Sequence, residues 1–289
     1  MDFALNEEQQ MLQETARRFF ADHHPLPRAR RALPWDDAAQ QQLWSDMAGM
    51  GFMDLLVPEA QDGLGLGLVE ACLVAEEAGR QLLNLPWASS AVWLAPCCAA
   101  ANHLPPALQT LAQATRAGQR AVHVVNTADT RWDYAGQCSD MAVVRGWHDM
   151  QSPLQIALLP GSIAPTSPGL DPCLQQAVAP SLASLPLDWH TIDIPVATRE
   201  KARMAHRLVQ AAELIGVAQA ALDLASTYAK ERVQFGKAIG SYQSIKHQLA
   251  NAWMGVDNAR LSAWYAAAAL DGALPAARLA CAVADFTAI

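Results

Sequence analysis

The stretch Tyr228-Ala229-Lys230-Glu231-Arg232-Val233-Gln234-Phe235-Gly236-Lys237-Ala238-Ile239-Gly240 sets a guanidinium at the end of a long helical pattern, just before a glycine-broken turn. A diphosphate needs paired, fixed donors, and the planar fork of Arg supplies them where the point charge of Lys does not. Arg232 can project from that turn toward a neighbour; it can equally pair with Glu231 or another nearby carboxylate. Upstream, His206 is able to accept a proton while neutral, since an unperturbed imidazole has a pKa of about 6.5. A single histidine on an alanine-rich helix also occurs as a packed or solvated residue. Glu213 follows two helical turns later on the same face, where a buried carboxylate paired with an arginine would look identical. His23-His24 before Pro25 reads as an exposed helix terminus. Gly63-x-Gly65-x-Gly67 lacks the strand-turn-helix setting of a phosphate loop. Cys72, Cys97, Cys98, Cys138, Cys173 and Cys281 include no Cys-x-x-Cys pair, and no His-x-x-x-His accompanies them, so no metal site and no disulfide scaffold is expected.

These residues need elements to hold them. Asn6 and Gln9 form a capping-box-like start, followed by Met11, Leu12, Ala16, Phe19 and Phe20 at helical spacing. A second helix is expected over Asp36 to Met50, stopped by Gly51. A third would bury Val69, Leu73 and Ala78 and turn Glu70, Glu76, Glu77 and Arg80 mostly outward. Apolar, alanine-rich segments at 87–101 and 106–117 extend this block. The runs 121–125, 141–144, 156–159 and 191–194 are short and punctuated by Gly, Pro, Asp and Ser, which reads as strands. From Ala197 the pattern is helical again: 197–235 has no proline and one glycine, Gly216, giving a helix about 50 Å long. A second long helix is expected over 243–271, and Pro275 fits the first turn of a third. The expected fold is therefore mostly α, with an N-terminal helical domain (1–119), a small middle β-barrel-like domain (120–196) and a C-terminal long-helix bundle (197–289).

Composition narrows the function classes. The chain has 289 residues, 52% hydrophobic and 17% charged, which suits two or three packed domains rather than disorder. A formal charge of −8 without a concentrated basic face disfavours nucleic acid. No uninterrupted apolar run approaches a membrane span, and the opening Met1-Asp2-Phe3, turning acidic at Glu7-Glu8, lacks the order of a signal peptide. A reduced, cytoplasmic protein is the expectation.

Read through to Tyr242-Gln243-Ser244-Ile245-Lys246-His247-Gln248-Leu249-Ala250, the 228–250 stretch resembles the Arg-x-Gln-Phe-Gly-x-Pro-Ile-Gly-x-Phe-Gln signature of the acyl-CoA dehydrogenase flavoproteins, with Ala238 for Pro and Tyr242 for Phe. Weaker support comes from Val57-Pro58-Glu59 through Gly63-Leu64-Gly65, from Leu5-Asn6-Glu7-Glu8-Gln9 and from Gly169-Leu170-Asp171-Pro172. The resemblance implies FAD as cofactor and an acyl-CoA thioester as substrate. It assigns Arg232 to an FAD pyrophosphate held mainly by an adjacent subunit, with Phe235 and Gln243 lining the same dinucleotide. It also places Arg207 where relatives contact the thioester ligand, and His206 where some carry the catalytic glutamate.

Three departures from the family pattern matter. The chain stops at Ala284-Asp285-Phe286-Thr287-Ala288-Ile289, before the C-terminal base and Gln-x-x-Gly-Gly segment of many members, so the bundle looks truncated and the catalytic residue stays unassigned. The middle region lacks the Thr-Glu-Pro…Gly-Ser-Asp and Trp-Ile-Thr phrases that hold the flavin ring. It is also short, at about 75 residues. This pattern resembles the small subunit of heteromeric acyl-CoA dehydrogenases, including those acting on steroid and other cyclic acyl-CoA thioesters. The implied assembly is a heterotetramer in which a second acyl-CoA dehydrogenase-like subunit shares the flavin site. A self-sufficient homo-oligomeric flavoenzyme and a non-catalytic structural partner remain the alternatives.

Overall fold

The computed structural model describes residues 4–149 and 151–288; the opening Met1-Asp2-Phe3 and Ile289 lie outside them. The elements run α1 (Glu7–His23), α2 (Leu26–Ala29), α3 (Ala38–Gly49), α4 (Leu68–Arg80), a π-helix (Ala88–Leu94) continuing into α5 (Ala95–Ala99), and α6 (Pro106–Arg116). Strands follow: β1 (Val122–Asn126), β2 (Arg131–Asp133), β3 (Asp140–Arg145), β4 (Leu154–Pro160), β5 (Thr166–Pro168), β6 (Gln175–Val178) and β7 (His190–Ile192). The chain ends with α7 (Val196–Glu231), a hairpin of β8 (Val233–Gln234) and β9 (Lys237–Ala238), α8 (Gln243–Asp271) and α9 (Ala277–Ala288). The chain is mostly helical with a small sheet region, as its periodicities predict. The predicted boundaries of α8 match the structure, and Pro275 lies in the turn leading into α9. The Asn6 side chain accepts from the Gln9 N–H at 2.8 Å while Gln9 Oε1 accepts from the Asn6 N–H at 3.1 Å, which completes the capping box.

The contacts gather these elements into two compact units, each built from separated stretches of chain. The first comprises Met1–Asp22, Leu68–Leu83 and Arg207–Ile289, and is helical. Its centre is α4, every residue of which from Ala71 to Gly79 is buried. Glu76 and Glu77 are therefore inside, not outward as their polarity predicts. Each has a guanidinium to offset the loss of water: Arg260 of α8 reaches Glu76 with Nε at 2.8 Å and Nη2 at 2.7 Å, and Arg17 of α1 reaches Glu77 with Nη2 at 2.9 Å. The crossing of α4 over α7 is backbone on backbone. A Cβ on Gly79 would meet the Glu213 carbonyl oxygen at 2.0 Å, and one on Gly216 would meet the Glu76 carbonyl oxygen at 1.9 Å. By length and composition alone α7 could cross a bilayer, yet its middle is the seat of this crossing, as suits a core helix.

The second unit comprises His23–Gly67 and Asn84–His206. It holds a four-stranded sheet in the order β1-β3-β4-β7, with β1 and β3 parallel and the other pairs antiparallel. A separate antiparallel sheet has the order β2-β6-β5. Among the described residues no barrel closes, which corrects the barrel-like expectation. Strands of three or four residues, with prolines at 160, 165, 168 and 172, supply too few ladder donors to join the two sheets. β3 is buried on both faces as far as Val144, which explains its unbroken apolar run. Trp93 and Leu94 of the π-helix, Leu108 and Leu111 of α6, and Val122, Val144 and Ile156 of the sheet share one apolar core.

Candidate functional site

The π-helix Ala88–Leu94 is buried along its whole length. Such wide turns cost hydrogen-bond geometry and occur often at functional sites. This one is pinned to β1 by Ser90, whose Oγ donates to the Val122 carbonyl at 2.8 Å and accepts from the Val122 N–H at 2.9 Å. Pinning Ser90 brings Ser89 between two histidines. Its Oγ lies 3.1 Å from Nδ1 of His123, on β1, and 3.2 Å from Nε2 of His206, on α7. Ser89, His123 and His206 retain only 2%, 8% and 7% of their surface.

The walls of this cluster are aromatic. The Tyr134 ring lies 4.9 Å from His123, and Trp147 meets His206 edge-on at 5.9 Å while stacking on Trp93 at 5.1 Å. Burial among these groups lowers His206 to about 4. Burial, with His206 beside it, lowers His123 to about 3. Both rings are therefore neutral near pH 7, each with one N–H and one lone pair. Two neutral imidazoles joined by a hydroxyl can hold a proton or pass one along.

The residues singled out by motif gather elsewhere. Arg232 leaves the end of α7, and its carbonyl accepts from the Ile239 N–H at 2.8 Å, closing the base of the β8–β9 hairpin. Phe235 and Gly236 form its two-residue loop with φ of 52° and 80°, the left-handed pair that a type I′ turn requires. The loop is braced: the Tyr242 hydroxyl donates to the Gln234 carbonyl at 3.1 Å, and Lys237 Nζ lies 4.2 Å from the Tyr242 ring centre. Phe235 is nonetheless 91% exposed. Arg232 is exposed and makes no ion pair with Glu231 or any other described carboxylate, and Gln243 opens α8 beside it, also exposed. The structure thus brings Arg232, Phe235 and Gln243 to one end of the α7–α8 pair.

Arg207 stands apart, about 37 Å along α7, where its Nη2 holds Asp285 of α9 at 2.7 Å and more than half of its side chain stays exposed. Glu213 has no described basic partner, contrary to the ion-paired alternative, and burial pushes its carboxyl up to about 8. His24 is fully buried, not exposed as its place beside Pro25 predicts. Sequence reasoning missed Ser89 and His123. The available signal was compositional: polar residues inside the apolar run 87–101 and inside the strand 121–125 need buried partners.

Residues 6–103 match the acyl-CoA dehydrogenase N-terminal domain and residues 199–288 the acyl-CoA dehydrogenase C-terminal domain, on either side of the sheet region. Over 258 residues the chain is 30% identical to acyl-CoA dehydrogenase IpdE2 of Mycobacterium tuberculosis, which covers 88% of this chain and 74% of the relative. The chain belongs to the acyl-CoA dehydrogenase family. It is an oxidoreductase of that family; PigA, whose fold it shares at 17% identity, has been solved with FAD. The chain's fold is shared with the ChsE4–ChsE5 complex of Mycobacterium tuberculosis, at a TM-score of 0.75 and 19% identity over 99% of this chain and 84% of the other. It is shared equally with the Tcur3481–Tcur3483 steroid acyl-CoA dehydrogenase, at 0.74 and 22% over 97% and 82%. The side chains present suit such a cofactor. A free guanidinium, an aromatic ring held out in a left-handed turn and a primary amide supply the donors and the flat face that a dinucleotide takes.

Proposed function

We propose that this chain is one subunit of a hetero-oligomeric acyl-CoA dehydrogenase of the cytoplasm, in which it shares a flavin site with a second acyl-CoA dehydrogenase-like subunit. The reaction is α,β-dehydrogenation of an acyl-CoA thioester of the steroid or other cyclic class. One observation carries the reading: Arg232, Phe235 and Gln243 stand exposed in and around one braced hairpin, at the end of α7, in its loop and at the start of α8, with Phe235 almost wholly exposed in a left-handed conformation. The hairpin that fixes this conformation leaves the Phe235 ring uncovered by the described residues. A ligand held by a neighbour would cover it. Two of the structural relatives are two-protein complexes, which agrees with this arrangement.

In this reading Arg232 pairs with the diphosphate of FAD, Phe235 covers an apolar face of it and Gln243 hydrogen-bonds its polar edge. When bound, FAD accepts the hydride that leaves Cβ of the substrate. Arg207 keeps donors free beyond its bond to Asp285 and serves the thioester ligand. The test is to purify the chain alone and together with its partner subunit, and to measure flavin per chain. Flavin retained in the complex, and weakened about 10- to 100-fold by Arg232→Ala, is expected for a lost charge-assisted pair. Unchanged flavin affinity in that variant would make the chain a structural partner. Full occupancy and turnover by the chain alone would make it self-sufficient.

A further inference from the structure

A cavity of about 610 Å³ opens within the second unit, walled by Trp35 and Asp36 before α3, Arg120 before β1, Gly136 after β2, and Ser162 and Thr166 after β4. That size lies in the ordinary range of small-molecule sites, about 300–1,000 Å³. Its walls are tied to one another by the backbone. The Trp35 N–H donates to the Gly136 carbonyl at 2.8 Å, the Gly136 N–H to the Gly161 carbonyl at 2.8 Å, and the Gly161 N–H to the Ser139 carbonyl at 2.9 Å. Trp35 also meets Trp44 edge-on at 6.2 Å, and Trp44 Nε1 donates to the Arg120 carbonyl at 3.0 Å. A Cβ on Gly161 would sit 1.9 Å from the Cys138 carbonyl oxygen, so this wall admits no larger residue.

The polar groups of this cavity are only partly engaged by the fold. Arg120 forks onto Asp140 through Nε, at 2.7 Å, and Nη2, which leaves both N–H groups of Nη1 bonded to no described residue. Asp36 is exposed, with no hydrogen bond or ion pair to any described residue. Burial pushes the Cys138 thiol in the lining up to about 12, so it adds no charge. Arg120 and Asp140 cancel, and the Asp36 carboxylate tips the cavity negative, which disfavours phosphate-bearing molecules. A flat neutral ring suits it, lying against Trp35, with a carbonyl for Nη1 and an N–H for Asp36. A lactam edge sets those two groups side by side, as guanine does with its O6 and the neighbouring N–H groups. We propose that this cavity is a binding site for a neutral lactam heterocycle of the guanine-nucleoside class. Arg120 Nη1 donates to the base carbonyl, Asp36 accepts from the adjoining N–H groups, and Ser162 and Thr166 offer hydroxyls to the sugar. Adenine, the base of FAD and of CoA, carries an amino group where guanine has its carbonyl, so it would meet Nη1 donor to donor.

The test is calorimetric titration of the full chain with guanosine, adenosine and GMP. Guanosine is expected to bind once per chain, with adenosine and GMP about 10-fold weaker or more, the scale of one hydrogen bond to a charged group. Asp36→Asn, at an exposed position without a described partner, should weaken guanosine about 10- to 100-fold and narrow the gap between guanosine and GMP. Ala164→Trp, in the cavity wall, should fill the space and abolish binding. Saturating FAD should leave bound guanosine in place. Absence of guanosine binding in the wild type, equal affinity for adenosine, or displacement by FAD would each overturn the proposal. So would full guanosine affinity in a folded Ala164→Trp chain or in Asp36→Asn, and the second variant decides the matter if the first does not fold.

Discussion

Glu213 and the histidine pair make opposite demands on pH, and the sign of each follows from burial. The Glu213 carboxyl is raised to about 8, so the folded chain keeps a proton that the unfolded chain releases above about pH 4.3. Its contribution is present below that pH and is lost as pH rises toward 8. His123 and His206, lowered to about 3 and about 4, stay neutral in the fold while the unfolded chain protonates them below about 6.5. Their contribution is present above about 6.5 and is lost as pH falls toward 4. Urea midpoints measured from pH 4 to 8.5 should decline at both ends. Glu213→Gln should flatten the alkaline limb and His206→Gln the acid limb; an alkaline limb unchanged in Glu213→Gln would contradict a half-buried carboxyl with no described basic partner. At this scale the sequence was only partly legible. Arg232, Phe235 and Gln243 stand within one continuous motif, so linear spacing finds them. Ser89, His123 and His206 come from three distant stretches, and only the fold sets them within one hydrogen bond of each other.

Among the elements, periodicity told most where one face is wet and least where none is. α8 was legible to its boundaries because glycines end the pattern on both sides. α4 misled on Glu76 and Glu77, since their polarity says outward while their arginine partners lie on α1 and α8, far along the chain. The strands β2, β5 and β6 are three or four residues long, too short for an alternation to register. Gly216 passed as a tolerated residue in a long helix, yet it and Gly79 let two backbones touch. Gly216→Ala gains helix propensity of about 1 kcal/mol, but its methyl would sit 1.9 Å from a carbonyl oxygen that belongs to a helix backbone and cannot rotate away. The clash wins. We expect a net loss of about 2–3 kcal/mol, or failure to fold, measured by denaturant unfolding; a stabilised variant would show that the crossing is loose. Arg260→Ala should cost about 3–5 kcal/mol in the same assay, because Glu76 would stay buried without its cation.

Across the whole molecule, length and composition foretold more than one packed body without saying which stretches share a body. The chain passes between its two units four times, because the helical unit takes residues from the start, the early middle and the end. Continuous fragments therefore cannot reproduce it. A chain ended after His206 should keep protected amides in β1, β3 and β4 by hydrogen exchange and lose them in α1 and α4; protection persisting in α4 would mean that it folds without the C-terminal helices. The same interleaving sets a schedule during synthesis. Glu76 leaves the ribosome 184 residues before the arginine that neutralises it. At about 5–20 residues per second, α4 waits about 10–40 s with its apolar faces uncovered. For that interval the nascent chain is a client for a holdase chaperone, and its yield should depend on translation speed more than the stability of the finished protein would suggest.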